Sequence, residues 1–365
     1  FQSVSLAGPL ANLLCLWAVS LAFLGGLAAA VLGVFLPGPA ALLALPAALP
    51  ALYVQRMADA LAALPFAALS TQSVYLKLWL ALVYALLLLY LLGRGEKKRP
   101  LVPLGLGTAG LCAALVFQAA SHTAGRLTVS VLDVGQGLSV ALLSGGRAAL
   151  VDCGGTGADN PGDTAADYFQ SLGLNRIDLV VLTHYHEDHA GGIPELLERL
   201  EVGLLVLPDV EEEDPLRREI TALAEEKGIE TLFLAEDADV TFGESALRIY
   251  APLGSGGANE EGLSVLCTAG DFDGLITGDM NDTVEKRLIK YGSLPDLELL
   301  VAGHHGSKYA TSEELLLATT PELAVISVGY NTYGHPAPET LERLAAAGCA
   351  IYRTDWSGTV TITAK

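Results

Sequence analysis

From residue 10 to residue 36 the chain reads LANLLCLWAVSLAFLGGLAAAVLGVFL, without one charged side chain. That run exceeds the roughly 20 apolar residues needed to cross a bilayer, and it predicts a membrane-spanning helix. Residues 76–92, with Lys77 near their start, and residues 101–119 are two further candidates of about spanning length. Residues 38–69 break the pattern, because Pro39, Pro46, Pro50 and Pro65 interrupt them and Arg56 and Asp59 stand beside apolar Met57, Leu61 and Leu64. An apolar face edged by charge in this way predicts a piece lying in the membrane interface. After residue 121 the pattern changes to short β-branched or apolar runs closed by glycines: LTVSVLDVG (127–135), LSVALL (138–143), AALVDCGG (148–155) and LVVLTH (179–184). These predict strands. Helical patterns over 164–172, 193–200, 216–227 and 284–291 follow and intervene, an order that suggests layered sheets covered by helices.

Charge sharpens the division. Residues 1–120 hold six Lys/Arg and two Asp/Glu, so that 15 basic and 39 acidic groups of the chain's 21 and 41 fall in residues 121–365. The expected organisation is therefore a polytopic membrane region, 1–120, and a water-facing domain, 121–365, at a net −24. Four of the six basic residues of the first part sit in RGEKKRP, residues 94–100. By the positive-inside rule that loop is cytoplasmic, which sends residue 121 onward outside the cytoplasm. Several spans and the lack of a basic leader argue against a cleaved signal peptide, and the absence of an initiator Met suggests that an upstream part is missing. Five scattered cysteines, with no C-x-x-C spacing, support neither a disulfide framework nor a cysteine metal site. The acidic run 211–214 reads as a solvated loop or a helix start.

The chemistry concentrates in three histidine clusters that hold six of the seven histidines. THYHEDHAGG, residues 183–192, follows a predicted strand and precedes a helix, so it lies on a loop at a strand's carboxyl end, where α/β sites form. Imidazoles and carboxylates suit zinc, manganese or iron, and alternation along a loop lets His184 and His186 face one ion while Asp188 and His189 turn toward a second. GLITGD ends in Asp279, which is able to bridge two ions; ELLVAGHHGSK carries His304, His305, Ser307 and Lys308; YGHP carries His335. His122 stands apart from the clusters and reads as structural or exposed.

H-x-H-x-D-H after a strand, the upstream Asp152 in LVDCGG, the TGD and the later histidine resemble the metallo-β-lactamase fold. With LDVGQG at 132–137, HHGSK at 304–308 and N-x-Y-G-H-P at 331–336 behind a membrane region containing LANLL, the chain more narrowly resembles the ComEC family of competence proteins. The resemblance implies the end of a membrane channel followed by an αββα sandwich. It implies a multi-pass protein of the inner membrane that takes up DNA as a single strand, with an extracytoplasmic metal-dependent nuclease degrading the other strand, in company with other competence proteins. It assigns His184 and His186 to one divalent ion, zinc or manganese, Asp188 and His189 to another, Asp279 between them and His304 to the second, while Asp152 orients a ligand. Two ions so held lower the pKa of a water and neutralise the oxygens of an in-line displacement at phosphorus. His335, or His305 beside His304, is placed to supply a proton, and Lys308 and Ser307 to meet a phosphate. Two positions depart from the family pattern. No histidine occurs in residues 190–278, where Asn259 and Ser264 are the nearest polar candidates, and Leu138 stands where G-Q-G-D is common. Two other readings stay open: a hydrolase of small esters, thioesters or phosphoesters, and a transport or docking domain without catalysis.

Overall fold

The computed structural model describes residues 3–5, 7–62, 68–70, 73–92, 100–122, 126–157 and 159–364. The chain divides into two compact units, Phe1–Leu115 and Val116–Lys365. The expected cytoplasmic loop 94–100 lies outside the described residues except for Pro100, and so does the side chain of His122.

In the first unit a short strand pair, β1 (Ser3–Ser5) with β2 (Ala68–Ser70), accompanies helices α1 (Gly8–Phe35), α2 (Pro37–Ala62) and α3 (Val74–Leu92); α4 (Leu101–His122) completes the run. All four helices are long and apolar enough to cross a membrane. Most of residues 38–69, expected as an interfacial piece, form a fourth helix of spanning length. The prolines permit it: Pro37 and Pro39 fall in the first turn, where no helical N–H bond is lost, and Pro46 and Pro50 are carried within an apolar helix packed on its neighbour. Small residues let those two helices approach, with Gly25 so close to Ala47 that a Cβ at Gly25 meets the Ala47 Cβ at 2.8 Å. Tyr53 on α2 stacks against Trp17 on α1, and Trp79 on α3 donates to the Gly107 carbonyl of α4 at 2.8 Å.

The second unit is an αββα sandwich. Its elements run β3 (Leu127–Val131), β4 (Val140–Ser144), β5 (Arg147–Val151), α5 (Pro161–Ser171), β6 (Arg176–Val181), α6 (Glu187–Ala190), α7 (Ile193–Arg199), β7 (Glu201–Pro208), α8 (Pro215–Lys227) and β8 (Glu230–Leu234). Then follow β9 (Ala238–Phe242), β10 (Ser245–Tyr250), β11 (Ser264–Ala269), β12 (Phe272–Ile276), α9 (Asp282–Gly292), β13 (Leu299–Val301), α10 (Glu313–Thr319), β14 (Leu323–Ile326), α11 (Pro338–Ala346), β15 (Ala350–Arg353), α12 (Thr354–Ser357) and β16 (Val360–Ala364). One sheet has the order β16-β3-β4-β5-β6-β7-β8 and the other β15-β14-β13-β12-β11-β10-β9. Each is antiparallel where hairpins join its strands and parallel where helices cross over, from β5 to β8 and from β12 to β15.

Strand periodicity explains the layers. Leu179 and Val181 of β6 enter the core between the sheets with Val129, Val140, Ile249 and Val265, while Val180 and Leu182 enter the layer under the helices with Phe169, Ile193 and Ile220. Both faces being buried, the parallel strands read as continuous apolar runs. The acidic run proves to be a helix start, where Asp214 accepts from the Leu216 and Arg217 N–H groups at the N-terminus of α8. At one end of this sandwich the carboxyl termini of β5, β6, β12, β13 and β14 release Asp152, Thr183–His189, Asp279, His304–His305 and the 327–336 loop.

Candidate metal centre

Two glycine-bearing loops converge under the histidine loop. A Cβ on Gly154 would meet His189 N at 2.2 Å, and one on Gly137 would meet Asp188 O at 2.7 Å. That close approach lets backbone bonds hold the loop: Leu138 N donates to Asp188 O at 2.9 Å, Cys153 N to His189 O at 2.7 Å and Gly154 N to Leu138 O at 3.1 Å. LDVGQG therefore serves as a backbone clamp. At Leu138 the amide and carbonyl do the holding while the side chain is buried between the sheets. A carboxylate at that position is not needed for this contact.

Asp152, fully buried with φ 60°, fastens the next layer. Its Oδ1 accepts from Thr183 N at 2.6 Å, and its Oδ2 accepts from Thr183 Oγ1 and from His189 Nδ1, both at 2.7 Å. Donation through Nδ1 leaves His189 Nε2 facing Asp279 Oδ1 at 2.9 Å. His305 is set in the same way, with Nδ1 3.0 Å from the Ser327 carbonyl and Nε2 3.4 Å from Asp188 Oδ2 and 3.7 Å from Asp279 Oδ1. One ligand atom from each of Asp188, His189, Asp279 and His305 lies within 4.8 Å of the others.

The buried atoms His189 Nε2, Asp279 Oδ1 and His305 Nε2 have no hydrogen bond, although they stand at contact distance. Unpaired buried polar atoms aimed at one point are costly, and a cation among them removes that cost. Two carboxylates and two imidazoles are a suitable donor set for a divalent transition metal. Without an ion, the imidazoles and carboxylates of the group balance one another. Burial alone would raise the Asp279 carboxyl, but His189 and His305 beside it outweigh burial and hold it well below the carboxylate range. Burial also opposes charge on His189, yet Asp279 and Asp152 on either side keep its pKa well above that of a free imidazole, so a cation bound at Nε2 would displace a proton from it. Asp188 is desolvated too, and His305 and His189 bring it down to about 2.

His184 and His186 make a second pair. His184 Nε2 and His186 Nδ1 stand 3.2 Å apart. Two nitrogens on one tetrahedral zinc at about 2.0–2.1 Å are about 3.3 Å apart, so the pair matches two ligands of one ion. His184 Nδ1 lies 3.1 Å from Thr183 Oγ1, and burial together with neighbouring His189 holds this imidazole well below its usual pKa, the neutral form a metal needs. No histidine follows from 190 to 278, and the segment over His184 offers Gly262, whose Cβ position is 3.8 Å from His184 Cβ. Ser264 is buried in β11, and the Asn259 Oδ1 is buried without a partner.

The structure distinguishes the adjacent histidines differently from the sequence expectation. His305 joins the tight group, whereas His304 is partly exposed with Nε2 3.4 Å from the outer oxygen of Asp279. The cause is backbone: His304 (φ 49°, ψ 47°) and His305 (φ 54°, ψ 27°) are consecutive left-handed residues, followed by Gly306 at φ 81°. Such conformations cost non-glycine residues energy and collect at functional sites. With Nδ1 committed to Ser327 and Nε2 to the group, His305 has no nitrogen left as a proton donor to a leaving group. His335 keeps that capacity: its ring centroid is 5.5 Å from that of His304, its Nδ1 has no partner, and burial and then His304 lower its pKa. Lys308 is exposed, with Nζ 5.0 Å from the Tyr309 ring, while Ser307 is buried and its hydroxyl accepts from Tyr309 N. Ser307 therefore shapes the turn.

Fold and site together define a metallo-β-lactamase-fold domain with a candidate metal site. Residues 132–330 match the metallo-beta-lactamase superfamily, to which this chain belongs, and residues 1–97 match the competence protein family. "Competence protein ComA" of Neisseria gonorrhoeae is 31% identical over 281 residues, which is 76% of this chain and 38% of that protein. "ComE operon protein 3" of Bacillus subtilis (strain 168) is 26% identical over 69% of this chain and 35% of its own length. Both are ComEC-type competence proteins, and this chain spans little more than a third of either. Among solved structures, the metallo-beta-lactamase fold protein YhfI from Bacillus subtilis superposes with a TM-score of 0.46 and 14% identity, over 65% of this chain and 99% of that one.

Proposed function

We propose that this chain is the C-terminal part of a DNA-uptake protein of the bacterial inner membrane. In this reading residues 1–120 end the channel, residues 121–365 lie on the extracytoplasmic side, and the second domain hydrolyses phosphodiester bonds in the strand that is not transported. DNA, membrane lipid and other competence proteins are its partners. The observation that carries the hydrolase reading is the convergence of the unpaired His189 Nε2, Asp279 Oδ1 and His305 Nε2 in a domain that follows a competence-family region.

Asp188, His189 and His305 would hold one divalent ion, zinc or manganese, His184 and His186 a second, with Asp279 between them. Such ions supply Lewis-acid charge that acidifies a water and neutralises phosphate oxygens. Asp152 keeps His189 in the tautomer that offers Nε2, and the Ser327 carbonyl does the same for His305. His335 delivers a proton to the departing oxygen, and exposed Lys308 meets a neighbouring phosphate. The test is metal content together with manganese- or zinc-dependent cleavage of labelled DNA by the detergent-purified chain, beside a His184→Ala/Asp279→Ala variant. Metal-dependent cleavage that disappears in the variant is the expected result; a folded, metal-loaded chain that cuts no DNA rejects the nuclease.

The incomplete surroundings of the His184 and His186 pair favour a second reading, a transport or docking domain without catalysis. It predicts at most one bound ion and DNA uptake that survives His186→Ala.

A further inference from the structure

The sequence NTYGHP contributes only His335 to the site just described, and its two flanking tyrosines remain unexplained. The 329–336 loop is built around one side chain. Asn331 Oδ1 accepts from Tyr333 N, Gly334 N and His335 N at 3.0–3.1 Å, while its Nδ2 donates to Gly329 O at 2.9 Å and His335 O at 2.8 Å. Ala337 N, donating to Gly306 O at 2.8 Å, pins the loop to the His304–His305 turn. His335 turns inward on this scaffold, and Tyr330 and Tyr333 turn outward at 93% and 76% exposure.

The Tyr333 ring is not remote from the chemistry. Tyr333 and His335 have ring centroids 6.0 Å apart, His335 and His304 5.5 Å, and His304 Nε2 is 3.4 Å from Asp279 Oδ2. Other exposed aromatics nearby in sequence already have a cation on one face: Arg353 lies 3.9 Å from the Trp356 ring centroid and Lys308 5.0 Å from that of Tyr309. Tyr330 and Tyr333 carry none among the described residues. Charge then selects the occupant. With 15 basic and 39 acidic residues after residue 120, the domain has few cations with which to track a polyanion. Stacking on an aromatic face does not depend on net charge and accepts any base, but only a base whose own face is open.

We propose that Tyr330 and Tyr333 form a base-stacking platform that seats unpaired nucleotides beside the metal centre, so that the strand is cut after it has separated from its complement. This rests on the nuclease reading and adds to it the state of the substrate. The ring contacts from Tyr333 to His335 to His304 lead from the platform toward Asp279, so a strand stacked on Tyr333 can continue to the site. A loop held by five hydrogen bonds from one asparagine keeps the platform rigid, so little ordering cost falls on binding.

The experiment uses the full 365-residue chain in detergent, as wild type, Tyr330→Ala/Tyr333→Ala and Tyr330→Phe/Tyr333→Phe. Specificity for a single-stranded oligonucleotide is read as kcat/KM relative to bis(p-nitrophenyl) phosphate, which has no base to stack. The alanine pair is expected to lower that ratio about tenfold or more, and the phenylalanine pair to restore it, as stacking of about 1–3 kcal/mol per base implies. An unchanged ratio in the alanine pair overturns the proposal, as does an equal loss on blunt duplex DNA. Failure of the wild type to hydrolyse either substrate with metal present rejects the nuclease reading instead. In that case oligonucleotide binding by fluorescence anisotropy judges the platform alone, and equal affinity in wild type and alanine pair overturns it.

Discussion

Asp152 Oδ2 and His189 Nδ1 stand 2.7 Å apart, both fully buried, and this contact decides which nitrogen of His189 faces the metal centre. The same carboxylate holds Thr183 through its backbone and its hydroxyl, so one side chain sets both the ligand and the loop that carries it.

Asp152→Asn keeps the volume but gives up one acceptor oxygen. Metal affinity is expected to fall about 10–100-fold, read by competition with a chromogenic chelator. A wild-type affinity in this variant removes Asp152 from the ligand-orienting role.

The unlike settings of the two neighbouring histidines separate their substitutions. His305→Ala takes a nitrogen from the group within 4.8 Å and is expected to cost one ion per chain by elemental analysis. His304→Ala, at 3.4 Å from the outer Asp279 oxygen, is expected to retain the ions and lower turnover. Equal metal loss in both would mean that the turn re-forms with either histidine inward.

Metal removal should also be visible as stability. An ion that binds only the folded chain stabilises it by about 2.7 kcal/mol at a free concentration 100 times its Kd, so chelation is expected to lower Tm. The orphaned atoms His189 Nε2 and Asp279 Oδ1 are the source of that difference, and a Tm indifferent to chelator and added metal would contradict the site.

Gly154→Ala puts a methyl 2.2 Å from His189 N, where a backbone cannot yield cheaply. A loss of about 1–3 kcal/mol or more is expected, measured by thermal unfolding, together with loss of metal. Gly228→Ala supplies the contrast: nothing lies within 4 Å of its Cβ position, and only the strain of its φ of 66° opposes it.

Glu285 on α9 is fully buried and accepts from the N–H groups of Thr311 and Ser312, at the turn that follows HHGSK. Burial raises its pKa above the ordinary 4.5, against those hydrogen bonds. The folded state therefore keeps a proton that the unfolded chain releases, and stability falls as pH rises from about 4.5 through the folded pKa. The stability of wild type relative to Glu285→Gln is thus expected to be greatest at low pH and to shrink toward neutrality, as read by Tm across that range. A difference independent of pH would show that the carboxyl titrates as it does unfolded.

Much of this protein could be read along the chain because the signals are local. Apolar length marked α1, α3 and α4, Leu179–Leu182 marked a strand buried on both faces, and His184, His186, Asp188 and His189 stood out as candidate ligands by residue type and spacing. What the chain alone did not reveal depends on contacts between distant segments. Pro46 and Pro50 read as interruptions because the packed neighbour that accommodates them is absent from the local pattern. Leu138 read as a lost carboxylate because its backbone bond to Asp188 is fifty residues away. His304 and His305 are chemically identical and adjacent. Only the left-handed turn, closed by Gly306 and fixed by the Ser327 carbonyl, decided that His305 is buried in the group with Asp188 and His189 while His304 meets the other Asp279 oxygen from a partly exposed position.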